Sequence, residues 1–117
     1  PLSTPDEAPF GGSARLGAPV PDAPLRGEDG KRFLVERLPG AFTVLTVKNG
    51  ARPQPVPGAR MIVIGEDVHD DAGLFRERFD ATPGASYVLR PDQHLTARFR
   101  SFSPARIGAA IRRAAGC

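Results

Sequence analysis

The sequence runs to 117 residues with a net charge of +3 and ordinary apolar and charged fractions, which suits one domain with a modest core. No apolar stretch approaches the roughly 20 residues that a membrane helix needs, and the opening PLSTPDEAP has neither the basic nor the apolar region of a secretory signal. Arginine carries nearly all the positive charge, and aromatics are not interleaved with it as a single-strand binder would want, so the excess reads as a solvated surface and no nucleic-acid partner is expected.

Residues 1–24 are rich in Pro, Gly, Ser, Ala and Asp with no hydrophobic period, which is linker composition. The chain also starts without Met, and reads as a piece of something longer. A turn at Asp29-Gly30 and a brief apolar stretch, FLVERL, follow; the stretch is too short to assign by period. FTVLTV (42–47) and RMIVIG (60–65) are apolar on both alternating faces, as interior strands of a mostly parallel, covered sheet are.

A helix is expected between Asp70 and Asp80, capped by Asp70 or Asp71, with Ala72, Phe75 and Phe79 on one face. Pro83 and Gly84 stop it. SYVLR (86–90) and Leu95 to Phe102 read as an antiparallel hairpin turned by PDQH. In its second strand Leu95, Ala97 and Phe99 share one face, and Thr96, Arg98 and Arg100 share the other, half-exposed one. The final helix has Ser103 as cap and Pro104 at its first position. Ile107, Ala110, Ile111 and Ala114 form its apolar stripe, Arg112 and Arg113 lie in its last turn, and Gly116 closes it.

This element order is that of a thioredoxin-like α/β fold with a central mixed sheet flanked by helices. LGAPVPDAPLRGEDGKRFLVERLPGAFTVLTV is similar to the opening of peroxiredoxin-type members, and ASYVLRPDQHLTARFR to their hairpin. PLSTPD, GAPVPDAPL, the DG turn, GAFTVL and YVLRPDQHLTARFR together resemble something narrower: the C-terminal thioredoxin-like domain of FAD-dependent aromatic-ring hydroxylases, the phenol hydroxylase and 3-(3-hydroxyphenyl)propionate hydroxylase-like monooxygenases. Pro1 to Ser3 fit the tail of that family's exit from the flavin-binding part.

The resemblance implies a linker over 1–24 and a thioredoxin-like domain over 25–117, with FAD-binding and substrate domains upstream in the same polypeptide. It also implies FAD and NAD(P)H as cofactors of the parent enzyme, and a homodimer is a further expectation. No cofactor is expected in this chain: a flavin fingerprint is GxGxxG at a strand–helix junction, and Gly11 and Gly12 lie in the linker instead. The chain alone is therefore not expected to be catalytic, and its expected use is domain packing or dimerisation. A free-standing, thiol-less binding module is the alternative.

The loop from Lys48 to Gln54, where thioredoxins place a reactive thiol, holds no cysteine. Lys48 and Arg52 offer charge but no nucleophile. The sole cysteine, Cys117, has no partner for a disulfide, which suits a reducing, cytoplasmic setting. Glu66, Asp67, His69, Asp70 and Asp71 cluster past a strand end; without calcium-loop spacing they read as helix capping and solvated charge, and no metal site is assigned. His94 reads as a turn residue, and no catalytic residue is assigned. Arg98 and Arg100, with Lys48 and Arg52, are the candidates for an interface with a neighbouring domain or subunit.

Overall fold

The chain folds as β1 (Arg26–Gly27), a 3-10 helix (Leu34–Arg37), β2 (Thr43–Val47), β3 (Arg60–Ile64), β4 (Val68–His69), α1 (Leu74–Phe79), β5 (Ser86–Leu89), β6 (Leu95–Phe99) and α2 (Pro104–Ala114). The computed structural model describes residues 3–28, 30–38 and 40–116. Pro1, Asp29 of the expected turn, and Cys117 lie outside the described residues.

The six strands form one sheet in the order β1-β4-β3-β2-β5-β6. β2 pairs in parallel with β3, from Thr43 opposite Arg60 to Val47 opposite Ile64. On its other side it pairs antiparallel with β5, which pairs antiparallel with β6. A parallel strand pair extended by an antiparallel hairpin and a terminal helix is the thioredoxin-like arrangement.

The continuous apolar runs are explained by two covered faces. On one, Leu45, Ile62, Ile64, Tyr87 and Leu89 pack with Phe75 and Phe79 of α1. On the other, Val44, Val88, Ala97 and Phe99 pack with Ile107, Ala110 and Ile111 of α2. Between β2 and β5 the buried hydroxyls of Thr46 and Ser86 bond each other at 3.0 Å, so neither is left unpaired in the sheet centre. In α2 the Ser103 hydroxyl accepts from the Arg106 N–H, with Pro104 in the first turn.

Three expectations need correction. Residues 3–24 have linker composition but are packed against the body: Ala14, Val20 and Ala23 are buried. Small side chains suffice where the main chain itself lies close. Gly17 N–H donates to Leu95 O at 2.7 Å, Leu95 N–H to Ala18 O at 3.0 Å, and Thr4 N–H to Thr96 O at 2.8 Å, so this segment covers the outer edge of β6.

The second correction concerns β6. Pairing passes from Val88–Ala97 to Leu89–Leu95, which leaves Thr96 as an extra residue in a β-bulge. The bulge sends Leu95 to the α1 face while Ala97 and Phe99 stay on the α2 face, breaking the simple alternation. The face carrying Arg98 is not open to solvent: Arg98 is 8% exposed because residues 6–14 lie over it.

The third concerns α1. It starts at Leu74, after a turn, and Ala72 is exposed outside it. Asp70 does cap it, its carboxylate accepting from the Phe75 and Arg76 N–H groups at 3.0 Å each, whereas Asp71 turns to Arg26 at 2.6 Å.

Candidate functional site

In parallel α/β sheets ligands collect at the carboxyl ends of the strands. Here that end carries the crossover from Lys48 to Ala59, which is irregular throughout. A thiol in this loop would therefore lack the helix N-terminus that usually lowers its pKa. With no cysteine there either, both the nucleophile and the helix N-terminus that would activate it are missing.

The loop's cations are held by the carboxylates after β3. Arg52 Nη1 donates to Glu66 Oε2 at 2.6 Å and to Asp67 Oδ1 at 2.9 Å, and its Nη2 donates to Asp67 Oδ2 at 3.1 Å. Lys48 Nζ stands 4.0 Å from Glu66. Asp67 also accepts from the Val63 N–H at 2.9 Å. Partial burial pushes the Asp67 carboxyl up, but the bonds from Arg52 and Val63 outweigh it and hold it below the usual carboxylate range.

The acidic run is thus dispersed. Glu66 and Asp67 pin the crossover, Asp70 caps α1, and Asp71 pairs with Arg26. Among the described residues no three His, Cys, Asp or Glu side chains gather as a metal-binding group. Also among the described residues, no helix is long and apolar enough to cross a membrane. His94 bonds within its own turn, Nδ1 lying 3.2 Å from Asp92 O. A cleft of about 940 Å³ opens at the β1 end of the sheet, lined by Arg26, Lys31, Arg52, Met61 and His69 among others. A smaller hollow of about 240 Å³ lies at the carboxyl ends of β2 and β3, between Val47, Ile64, Phe75 and Pro83.

The most developed recognition geometry lies on the β6 side. Arg98 meets the Asp6 carboxylate through Nε at 3.0 and 3.2 Å and Nη2 at 2.9 Å. Its Nη1 donates to Ala14 O at 3.0 Å. Arg100 lies over the Phe10 ring with its guanidinium carbon 3.8 Å from the centroid. It also donates to Asp80 Oδ2 at 2.6 Å. Asp80 in turn accepts from the Gly11 N–H at 2.7 Å. That bond first, and Arg100 second, hold the Asp80 carboxyl below its ordinary value.

The structure therefore divides the four candidate cations. Lys48 and Arg52 are at the surface over the crossover, while Arg98 and Arg100 engage the chain's own N-terminal segment. Asp6 and Phe10 were not singled out in the sequence, and Gly11 and Asp80 were read there only as a linker glycine and a helix end. A lone Phe inside PDEAPFGG was the one available signal, since linkers rarely carry a large aromatic without something to bury it.

No protein-family model matches the chain, and no curated protein matches it. Solved structures do. Aklavinone-11 hydroxylase, in a ternary complex with FAD and aklavinone, superposes with a TM-score of 0.75 at 17% identity, covering 91% of this chain and 22% of that one. The flavin-dependent monooxygenase PieE, in complex with FAD and substrate, gives 0.68 at 18% identity, covering 98% of this chain and 24% of that one. The resemblance to FAD-dependent hydroxylases read from the sequence is met, at the level of fold, by about a quarter or less of each of these proteins.

Gly11 and Gly12, the glycine pair weighed against a flavin fingerprint, do not form one. A pyrophosphate needs glycine backbone at a helix N-terminus. Gly11 and Gly12 instead approach the carboxyl end of α1, where a Cβ on Gly12 would stand 2.5 Å from Arg78 O. Carbonyl oxygens repel a phosphate, so this glycine pair is not a pyrophosphate site.

Proposed function

We propose that this chain is a non-redox thioredoxin-like domain from the C-terminal end of an FAD-dependent aromatic hydroxylase, serving domain packing or dimerisation. One observation carries the reading: nearly the whole chain lies on only 22% and 24% of two flavin-dependent monooxygenases. A domain of that share, with no thiol in the crossover loop and no flavin fingerprint, leaves the redox chemistry to the rest of a longer polypeptide.

On this reading the FAD-binding and substrate domains lie upstream, NAD(P)H supplies hydride to the flavin, and the enzyme works in the cytoplasm. Lys48 and Arg52, ion-paired over the crossover with Glu66 and Asp67, offer a charged surface to a neighbouring domain or subunit. Arg98 and Arg100 act from within, holding the segment through which the chain joins what precedes it.

The test is the native protein from its source. A polypeptide several times heavier than this chain, carrying flavin absorbance in the visible, is the expected result. A colourless protein of this chain's own size would overturn the reading and leave a free-standing, thiol-less binding module. The packing role is read separately, by charge reversal at Lys48 and Arg52 in the whole protein and sedimentation velocity. Unchanged assembly would take both cations out of the interface.

A further inference from the structure

We propose that the face beside β6 is a sequence-specific peptide socket, and that residues 6–14 are its ligand, bound in cis. The inference does not depend on the hydroxylase reading.

The segment makes no regular secondary structure of its own; its order comes from contacts with the body. Those contacts are chemically distinct at successive positions. Asp6 is read by a fork of hydrogen bonds from Arg98, whose side chain is 9% exposed. A guanidinium so far out of water requires a fixed anionic partner. Phe10 is read by stacking: Tyr87 meets its ring edge-on at a centroid distance of 5.9 Å, and Arg100 covers it.

The next two positions are read by shape. Gly11 donates its N–H to Asp80 at 2.7 Å. Gly12 has φ of +78° and lies against the Glu77 and Arg78 carbonyls, where no side chain fits. Ser13 and Ala14 then donate their N–H groups to Arg78 O at 2.8 and 2.9 Å, closing the last turn of α1. The recognised pattern is an acidic residue, three spacers, then Phe-Gly-Gly.

Tyr87, α1 and β6 are also fixed by contacts outside the segment. Tyr87 is fixed by its hydroxyl bond to Phe79 O at 2.8 Å, α1 by the stacked Phe75 and Phe79 rings at 4.5 Å, and β6 by its pairing with β5. Release of the segment therefore leaves the groove standing, and an intramolecular ligand of this kind excludes an external one with the same pattern. The tethered segment competes at an effective concentration of about millimolar.

The experiment uses the full chain carrying Asp6→Lys and Phe10→Ala, with folding checked by circular dichroism. The probe is a fluorescently labelled peptide of residues 4–15, TPDEAPFGGSAR. The expected result is binding at least about tenfold tighter to the double variant than to the wild type, where the site is already filled. Adding Arg98→Glu abolishes it. No binding to the folded double variant, or equal binding to the wild type, overturns the inference. Should the double variant not fold, amide exchange decides. Gly11, Ser13 and Ala14 are expected to be protected in the wild type, and to exchange about tenfold faster or more in Arg98→Lys while β2 is unchanged. Unprotected amides in the wild type, or equal rates in the two proteins, overturn it.

Discussion

Gly12 and Gly50 allow the contact between the N-terminal segment and α1 to be weighed separately from backbone strain. Both have left-handed φ, +78° and +85°. Around Gly50 a Cβ would meet nothing within 4 Å, whereas at Gly12 it would stand 2.5 Å from Arg78 O and 2.9 Å from Glu77 O. Alanine at Gly50 should therefore cost only the left-handed conformation, about 1–2 kcal/mol. Alanine at Gly12 costs the same, plus about 1–3 kcal/mol for the overlap.

The overlap cannot be relieved by α1, because Phe75 and Phe79 are buried at 1% and 0% exposure and stacked on each other. Relief by the segment is limited by the three N–H bonds it would give up, from Gly11, Ser13 and Ala14, at about 1 kcal/mol net each. The two limits agree. Urea unfolding followed by far-UV circular dichroism should place Gly12→Ala about 1–3 kcal/mol below Gly50→Ala with an unchanged slope. In thermal scans each kcal/mol is about 4 °C at this size. Equal midpoints for the two variants would refute the close approach of residues 11–14 to α1.

Two further predictions concern pH. Tyr87 is the sole tyrosine and there is no tryptophan, so tyrosinate absorbance reports it alone. Burial, foremost, pushes its phenol up from 10.0, so its contribution to stability is complete below about pH 10 and is lost as pH rises towards the folded value. Tyrosinate should appear only together with loss of secondary structure above pH 10, and titration near pH 10 with the fold intact would contradict the burial. Asp80 is shifted the other way, down from 3.8 by the Gly11 N–H first and Arg100 next. Its contribution is present above pH 3.8 and is lost as pH falls through the lower folded value. The Gly11 amide resonance should titrate with a midpoint below 3.8 and become flat in Asp80→Asn; a midpoint at or above 3.8 would refute the bond.

The sheet and α2 were legible because their sequence signals are local. FTVLTV and RMIVIG are apolar on both faces, and only a sheet covered on both sides uses such runs. Ser103, Pro104 and the stripe at Ile107, Ala110 and Ile111 specify a helix start and a buried face within a few residues. The N-terminal segment was not legible, because what fixes it comes from far along the chain. Asp6 and Arg98 are 92 residues apart, as are Pro9 and Arg100 at 91, and no period records such pairs. Alternation in β6 suggested an exposed arginine face, but a face covered by irregular chain has the same sequence as one covered by water. The Thr96 bulge hid Leu95's side for a similar reason: one inserted residue reverses the alternation without altering composition. The crossover cations lie at the surface, but the partners of Arg52, Glu66 and Asp67, are 14 and 15 residues away across β3, a separation that periodicity does not record.

The hydrogen bonds from the Gly17 N–H to Leu95 O and from the Leu95 N–H to Ala18 O also bear on aggregation. They occupy main-chain groups that β6 would otherwise present along a sheet margin, next to apolar residues. Free strand margins are templates for pairing with other molecules. Composition suggests trimming the first 24 residues as dispensable. A chain trimmed there would expose that margin and tend to self-associate through it, so the Pro- and Gly-rich beginning also serves as a guard on solubility.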